Sequence, residues 1–451
     1  MGGWIVTKLL KRGEDFNRIR LLDLNPPTNH HYVVKDSLSK GVQFFKVDIT
    51  DSVALQAAFN ASWLDIPSSS SEKEPEITVF HTAANIRFYE RHLSFLDRST
   101  RVNVQGTKNV VSAAQSIGAT VLVYTSSGSV GIRSTRFLLW PWEKEPEMFV
   151  QVVNDDDDAE GRAHRRHEDF FSNYAVSKKE AETFIRASDK KITGSHTGTK
   201  KKLLRTGCIR PGNGIFGPRG DMLCGAYLSR QNNPSWISTL VQSFSYVENC
   251  AVAHLLYEQR LIELLKPGSR YPDIGGQAFC IADPGPTPTY GDVYTVLETL
   301  SNGECHFPSM SPTAMLFVAH IIELYYKTQQ RFSAPGWNWL LPKVNGDLIN
   351  LQPSLFSLTS VHLIFDDSRA RLSPEKGGLG YVGAWTTMEG LHKTCQEHKA
   401  GVGRSEARSD LAGVNLDFSC RRKKKAKKGM DKLERVGQTM TVSPVEIVNA
   451  K

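Results

Sequence analysis

Short apolar runs alternate along this chain with stretches whose apolar positions recur every three or four residues. Segments 19–24, 42–48, 77–81, 120–123, 204–209 and 278–281 read as strands, and 1–13, 51–59, 101–116, 178–187, 248–264 and 290–300 as helices. Strands that are apolar at consecutive positions bury both faces, as in parallel sheets covered on each side by crossover helices. The pattern predicts an α/β fold: a doubly wound parallel sheet of Rossmann type with a smaller C-terminal substrate lobe. Residues 1–285 form the nucleotide-binding domain, with an inserted loop at 133–170 and lobe contributions from 212–243; residues 286–395 form the lobe, and 396–451 a disordered basic tail. The serine-rich stretch 67–75 and the basic stretch 190–202 read as exposed loops.

Several strand ends carry residues suited to a nucleotide. The first helix begins at Gly2 and Gly3, and the strand after it closes on Asp23. In a doubly wound nucleotide domain a strand and a glycine-rich turn precede such a helix, and an acid at the end of the second strand meets the ribose diol. Gly2 and Gly3 therefore read either as the last glycines of a dinucleotide fingerprint whose first strand lies outside this chain, or as an ordinary flexible terminus. Asp23 favours NAD, because a carboxylate accepts from ribose hydroxyls and repels a 2′-phosphate; Arg18 and Arg20 precede the acid and leave this unchanged. Asp48 is placed to approach the adenine. Ala83 and Ala84 either let backbone run close to the cofactor or serve strand-to-helix packing.

The candidate chemistry lies in Tyr124-Thr125-Ser126-Ser127, after the apolar run at 120–123, and in Asn173-Tyr174-Ala175-Val176-Ser177-Lys178. Four positions apart on a helix, Tyr174 and Lys178 share one face. A tyrosine with a free pKa of about 10 is a poor base at neutral pH, and a neighbouring cation favours its phenolate. A serine at the strand end would hold a substrate oxygen while the tyrosine exchanges its proton, an arrangement suited to hydride transfer at an alcohol carbon. Each piece alone also has an ordinary reading, as a chance helical pair and as a turn or helix cap.

Composition narrows the picture further. Of the formal charge of +8, seven positive charges lie in 421–428, leaving about +1 elsewhere, so the basic balance belongs to the tail and nucleic acid is not the expected partner. That basic run reads as a nuclear address, an anionic-lipid patch or a solvated tail. Seven cysteines without a Cys-x-x-Cys pair give neither a disulfide framework nor a metal site. No secretory signal pattern is present. Segment 312–326 is interrupted by His320 and Glu323 and falls short of the ~20 apolar residues of a membrane span. It and segment 351–365, with Trp337 and Trp339 between them, read either as peripheral membrane attachment or as lobe core.

Taken together, Asp23, Asp48, His81-Thr82-Ala83-Ala84, Asn103-Val104-Gln105-Gly106-Thr107, Tyr124 to Ser127, Tyr174 to Lys178 and Arg210-Pro211-Gly212-Asn213-Gly214-Ile215-Phe216-Gly217-Pro218 resemble the extended short-chain dehydrogenase/reductases. Within them the chain resembles the 3β-hydroxysteroid dehydrogenase/isomerase family, including the sterol-4α-carboxylate 3-dehydrogenases, over residues 2 to 395. The resemblance implies Tyr174 as proton donor and acceptor, Lys178 as its pKa-lowering and ribose-binding partner, and Ser127 as the contact to the substrate oxygen, with Ser126 as the fallback. It implies Asn103 as a positioning residue and Pro211, Gly212 and Asn213 as the segment passing the nicotinamide. An NAD-dependent oxidation of a sterol or steroid 3β-hydroxyl follows, with loss of carbon dioxide where the substrate carries a 4α-carboxylate. A related enzyme acting on a sugar nucleotide or flavonoid, and a noncatalytic cofactor-binding or membrane-associated scaffold, are the alternatives. The implied partners are a sterol or steroid, a peripheral membrane contact, and a homodimer or sterol-demethylation complex; the implied location is the cytosolic face of the endoplasmic reticulum membrane, or otherwise the cytoplasm. Two features depart from the family pattern besides the missing first strand: the spacing of 47 positions from Ser127 to Tyr174, and the basic stretch 190–202.

Overall fold

In a computed structural model the described residues are 1–401, except 28–30, 64–75, 139–140, 145–147, 157–164, 195–201, 213, 219–220, 222 and 332–345. The loop at 67–75, Asn213, Trp337, Trp339 and the tail from 402 lie outside them. The chain opens with α1 (Gly2–Arg12), β1 (Arg20–Asp23), α2 (Tyr32–Leu38), β2 (Gln43–Lys46), α3 (Ser52–Asn60) and β3 (Thr78–His81). There follow α4 (Leu96–Thr100), a π-helical stretch (Arg101–Gly106), α5 (Thr107–Ser116), β4 (Val121–Thr125), β5 (Val150–Val153), α6 (Asn173–Arg186), β6 (Lys191–Thr193) and β7 (Lys202–Pro211). The remainder comprises β8 (Ile215–Phe216), α7 (Cys224–Arg230), β9 (Ser245–Tyr246), α8 (Val247–Leu265), β10 (Ala278–Ile281), α9 (Tyr290–Leu300), α10 (Pro312–Arg331), α11 (Pro353–Leu358), β11 (His362–Phe365), α12 (Ser368–Arg371) and α13 (Thr387–Lys399). Local chemistry sets many of these limits. The Asp51 carboxylate accepts from the amides of Val53 and Ala54 to start α3, and Gly13, at φ 93°, ends α1 in the left-handed conformation.

The central sheet runs β10-β7-β4-β3, all parallel, with β6 antiparallel on the outer part of β7. Strand β4 is buried at all five positions, as its unbroken apolar run predicts. Leu122 and Tyr124 point into a layer with Leu55 of α3, Val110 of α5 and Ile185 of α6, while Val121 and Val123 point into the opposite layer with Ala253 and Tyr257 of α8. Gly207 in β7 lets α8 come this close, since a Cβ there would run into the Tyr257 ring. These helices on both faces make the architecture the doubly wound α/β fold.

The sheet departs from expectation in being divided. Strands β1 and β2 form a parallel pair of their own, and among the described residues no strand hydrogen-bonds to the facing edges of β1 and β3. Helix α1 joins the two parts. Val6 packs with Ile19, Val34 and Val42 of the small pair, and Trp4 and Ile5 pack with Phe216, Tyr246 and Val247. Lys8 and Arg12 bind Glu248 and Glu258 of α8 at 2.7 and 2.8 Å.

Elsewhere the structure revises the sequence reading. Segment 351–365 takes the second of its two readings, as core: it forms α11 and β11, and Phe356, Leu358, Val361, Leu363 and Phe365 are buried. Part of segment 133–170 packs on segment 351–365, because β5 pairs in parallel with β11 and Phe137 meets Phe356 edge-on at 5.4 Å. Part of the basic stretch is strand rather than solvated loop, as β6. The final helix runs to Lys399, past the expected start of the tail at 396. Helix α10 has two unlike faces: Leu316, Ala319, Ile322 and Tyr326 turn inward, as the lobe-core reading expects, and Phe317, Ile321 and Leu324 are 68, 51 and 67% exposed. Glu323 also faces inward, where Arg91 grips it at 2.8 and 2.9 Å.

Leu122→Ala, which empties a site of 0% exposure in β4, is expected to cost about 2–5 kcal/mol in urea unfolding, whereas Leu324→Ala should stay within about 0.5 kcal/mol of the parent.

Candidate active site

The first turn of α6 carries Tyr174 and is held from several sides. Ser172 caps it by accepting from the Ala175 amide, and Asn173 donates its amide to Glu90 O at 2.8 Å and its side-chain Nδ2 to His92 O at 2.9 Å. His167 Nε2 lies 2.7 Å from Asn173 Oδ1. One turn on, Lys178 enters the interior at 1% exposure, donates Nζ to Thr125 O at 2.6 Å and stands 4.2 Å over the Tyr124 ring. Burial lowers its pKa to about 7. For Tyr174 burial raises the pKa to about 12, opposed by a hydrogen bond with the Ser127 side chain. The expected lowering of Tyr174 by Lys178 is therefore not what this arrangement gives: the ammonium is directed to Thr125 O and Tyr124, and desolvation dominates the phenol.

The two serines at the end of β4 diverge. Ser126 is buried and donates to Glu182 Oε2 at 2.5 Å, so its hydroxyl is committed to the interior. Ser127 stays half-buried beside the Tyr174 phenol, and accepts from the Ser129 hydroxyl at 2.8 Å and the Ser129 amide at 3.2 Å, capping the turn Gly128–Val130. Asn103, 1% exposed in the π-helical stretch, accepts from the Asn85 amide at 2.7 Å and donates to Asn85 O at 3.0 Å and to Ser177 Oγ at 2.9 Å. Ser177 in turn donates to Tyr174 O at 2.9 Å, so Asn103 ties the chain after β3 to the turn that carries the tyrosine.

The nucleotide candidates collect at the carboxyl ends of the parallel strands, where open α/β sheets bind ligands. Gly2 lies against Thr82, where a Cβ would stand 3.2 Å from Oγ1, and a Cβ on Gly3 would meet the His31 ring at 2.7 Å. The N-terminus of α1 thus sits between the chain leaving β3 and the chain leaving β1. Asp23 and Asp48 are exposed, and their carboxylates accept from local amides, Asn25 at 3.2 Å and Thr50 at 2.9 Å. Ala83 is exposed and Ala84 half-buried beyond Thr82. Pro211 is buried at the end of β7, and Gly212 donates its amide to Ile281 O at 2.8 Å and to Ser245 Oγ at 2.9 Å. Arg20 is consumed elsewhere: its guanidinium binds Gln43 and the carbonyls of Ala58, Phe59, Ala61 and Ser62.

Sequence reading missed two groups beneath the site. Glu182, fully buried, takes Arg210 Nε at 2.9 Å together with Ser126; burial alone would raise its carboxyl, but the guanidinium holds it below the ordinary carboxylate range. The signal was there, since Tyr174, Lys178 and Glu182 follow at steps of four on one stripe. His254 had no such signal. Its Nδ1 faces Cys250 O at 2.7 Å and its burial lowers the pKa to about 4, so Nε2 accepts from Thr125 Oγ1 at 2.7 Å.

A model of the 3-beta hydroxysteroid dehydrogenase/isomerase family matches residues 1–305. The chain is 27% identical over 402 residues to a 3beta-hydroxysteroid-dehydrogenase/decarboxylase, isoform 2, of Arabidopsis thaliana, covering 86% of this chain and 58% of that protein. It is 28% identical over 255 residues to a decarboxylating sterol-4-alpha-carboxylate 3-dehydrogenase of Candida albicans, covering 54% and 57%. The chain thus spans less than two thirds of the length of these two relatives. Among solved structures, a UDP-glucose 4-epimerase of Thermotoga maritima with UDP-glucose aligns at a TM-score of 0.52 and 15% identity, over 89% of this chain and 96% of that one. At that identity the likeness is one of fold.

The buried lysine has a measurable consequence. Folded, Lys178 loses its proton near pH 7; unfolded, it does so near its ordinary value of 10.5. Between these the unfolded chain binds more protons, so stability relative to Lys178→Met rises with pH across that window and is flat below it. From pH 7 to pH 9 the parent should gain about 2–3 kcal/mol on the methionine variant in urea unfolding.

Proposed function

The chain belongs to the 3-beta hydroxysteroid dehydrogenase/isomerase family, and from that premise we propose that it oxidises the 3β-hydroxyl of a sterol or steroid with NAD. The observation that carries this reading is the Ser127 side chain set beside the Tyr174 phenol at the end of β4, with Lys178 one turn further along α6 under the same strand end. In this reading Ser127 holds the substrate oxygen and Tyr174 takes its proton, while Lys178 is the cation that favours the phenolate once a ligand covers the site. Asn103 keeps the turn beneath Tyr174 in place. Because burial holds the phenol proton up to about 12, the group stands ready to donate at neutral pH, and oxidation gains as pH rises.

The residues present fit NAD. Gly2 and Gly3 open an eleven-residue helix whose N-terminal amides are suited to a diphosphate, with no side chain of their own between Thr82 and His31. Asp23 would accept from the adenosine ribose, and Arg20 is occupied by carbonyls rather than offered to a 2′-phosphate. Asp48 would lie toward the adenine, Ala83 and Ala84 beside the diphosphate, and Pro211 along the nicotinamide, with Lys178 at the second ribose. Bound NAD would supply the hydride acceptor.

With a 4α-carboxylate on the substrate, the C3 ketone takes up the electrons of the breaking C4–carboxylate bond, and carbon dioxide leaves without a second catalytic group. The proposal includes peripheral contact with the endoplasmic reticulum membrane on its cytosolic side, in place of the cytoplasm, through the outward face of α10. Among the described residues no helix is long and apolar enough to cross a membrane. Phe317, Ile321 and Leu324 recur at helical spacing on that face. Assembly as a homodimer or within a sterol-demethylation complex belongs to the same reading.

NADH formation from a 4α-carboxy-3β-hydroxysterol presented in detergent is expected, and Tyr174→Phe should lower kcat about 10²–10⁴-fold with the far-UV circular dichroism unchanged. Equal rates for parent and variant would remove the catalytic assignment. Phe317→Glu combined with Leu324→Glu should abolish co-sedimentation with phosphatidylcholine/phosphatidylserine vesicles; undiminished binding would move the membrane contact off α10.

A further inference from the structure

Below the candidate site lies a charge pair that the proposed chemistry does not use. Glu182 and Arg210 have side chains 0 and 1% exposed. Burying such a pair gives up the hydration of both ions, and apolar replacements are often as stable or more so, so stability alone does not account for it. Its hydrogen bonds run instead to both walls of the site. Glu182 Oε2 accepts from Ser126 Oγ at 2.5 Å and from Arg210 Nε at 2.9 Å, and Oε1 accepts from the far end of the same guanidinium. Ser126 immediately precedes Ser127, and Arg210 immediately precedes Pro211.

These two attachments meet again on the other side of Ser127. Gly128 is wedged so closely that a Cβ would run into the Phe365 ring and stand 2.8 Å from Pro211 O. The residue before Ser127 is thus pinned to Glu182, and the residue after it rests on the carbonyl next to Glu182's partner. Ser126 is further fixed by its amide, which donates to Ile209 O at 2.7 Å. Ser127 itself holds the tip of the turn, through Ser129.

We infer that Glu182 is a positioning residue: through Ser126 on one side and Arg210-Pro211 on the other, it sets where the Ser127 hydroxyl stands against Tyr174. The inference rests on the roles proposed above for Ser127 and Tyr174. It assigns the eighth residue after Tyr174 to the reaction without contact to substrate or cofactor.

The test uses the full chain. Ser126→Ala removes one hydroxyl and leaves the Glu182–Arg210 pair whole; kcat should fall at least tenfold while KM for NAD stays within twofold. The double replacement Glu182→Met, Arg210→Met, which removes both members of the pair together, should lower kcat similarly, and adding Ser126→Ala to it should lower kcat no further. Additive losses, or a Ser126→Ala variant with parental kcat, would overturn the inference. If the double replacement does not fold, Ser126→Ala alone decides. Should the parent oxidise no sterol, the function fails separately, and hydrogen exchange decides the inference: Ser126→Ala must speed exchange of the Ser129 amide, which donates to Ser127 Oγ, while leaving the amides of β4 unchanged. Unaltered exchange at Ser129 would overturn it.

Discussion

A lysine amine buried under the end of a strand is the contact on which the site depends. Lys178 reaches Thr125 O at 2.6 Å from within a core that gives it one carbonyl and one aromatic face. Removing an ammonium from water costs several kcal/mol even after relaxation, and the cost appears as a pKa near 7 instead of 10.5. The bond forms because α6 is held rigidly at its start. Ser172, Glu90 O, His92 O and His167 all engage the turn that also carries Tyr174. Strand β4 is equally fixed, buried on both faces between two helical layers.

The same anchoring reaches into the C-terminal lobe. Glu90, whose carbonyl receives the Asn173 amide, sends its carboxylate to Tyr326 of α10 at 2.6 Å and to Arg98 and Arg87 at 3.1 and 3.3 Å. Arg91 adds a two-pronged bond to Glu323, one turn earlier on α10. Phe88 belongs to the apolar cluster around Ala175 and to the cluster around Tyr326, so the contact is apolar as well as ionic. Helix α10 therefore joins the residue before Tyr174 on its inner side to an exposed apolar stripe on its outer side. The Glu323 charge, which interrupts its sequence as a membrane span, helps fasten it to the domain.

Much of the fold was legible because its causes are local or periodic. Burial of β4 on both faces was visible as an unbroken apolar run, and the limits of β10 were read to the residue, since turn residues bound it. Tyr174, Lys178 and Ser127 could be picked out because each sits at a fixed offset from a strand end or a helix start. Less legible were elements whose form depends on a distant partner. Segment 351–365 resembles a continuous apolar stretch, yet β11 exists because β5, some two hundred residues earlier, offers it an edge. Strand β6 exists because Lys202 and Leu203 return beside it.

By itself the sequence determined the strand and helix alternation, the doubly wound fold class and the residue types at each strand end, because side-chain periodicity and turn chemistry act over a few positions. Only the tertiary structure decided how those residues divide their work. Ser126 and Ser127 are adjacent and chemically identical, yet one is drawn inward by a buried carboxylate and the other is left at the tip of a turn facing Tyr174. Lys178 was readable as a cation beside a phenol, but burial, a property of the whole core, directs its proton to Thr125 O and sets its pKa. Desolvation and long-range hydrogen bonds are summed over neighbours far apart in the chain, and no local pattern of residues encodes that sum.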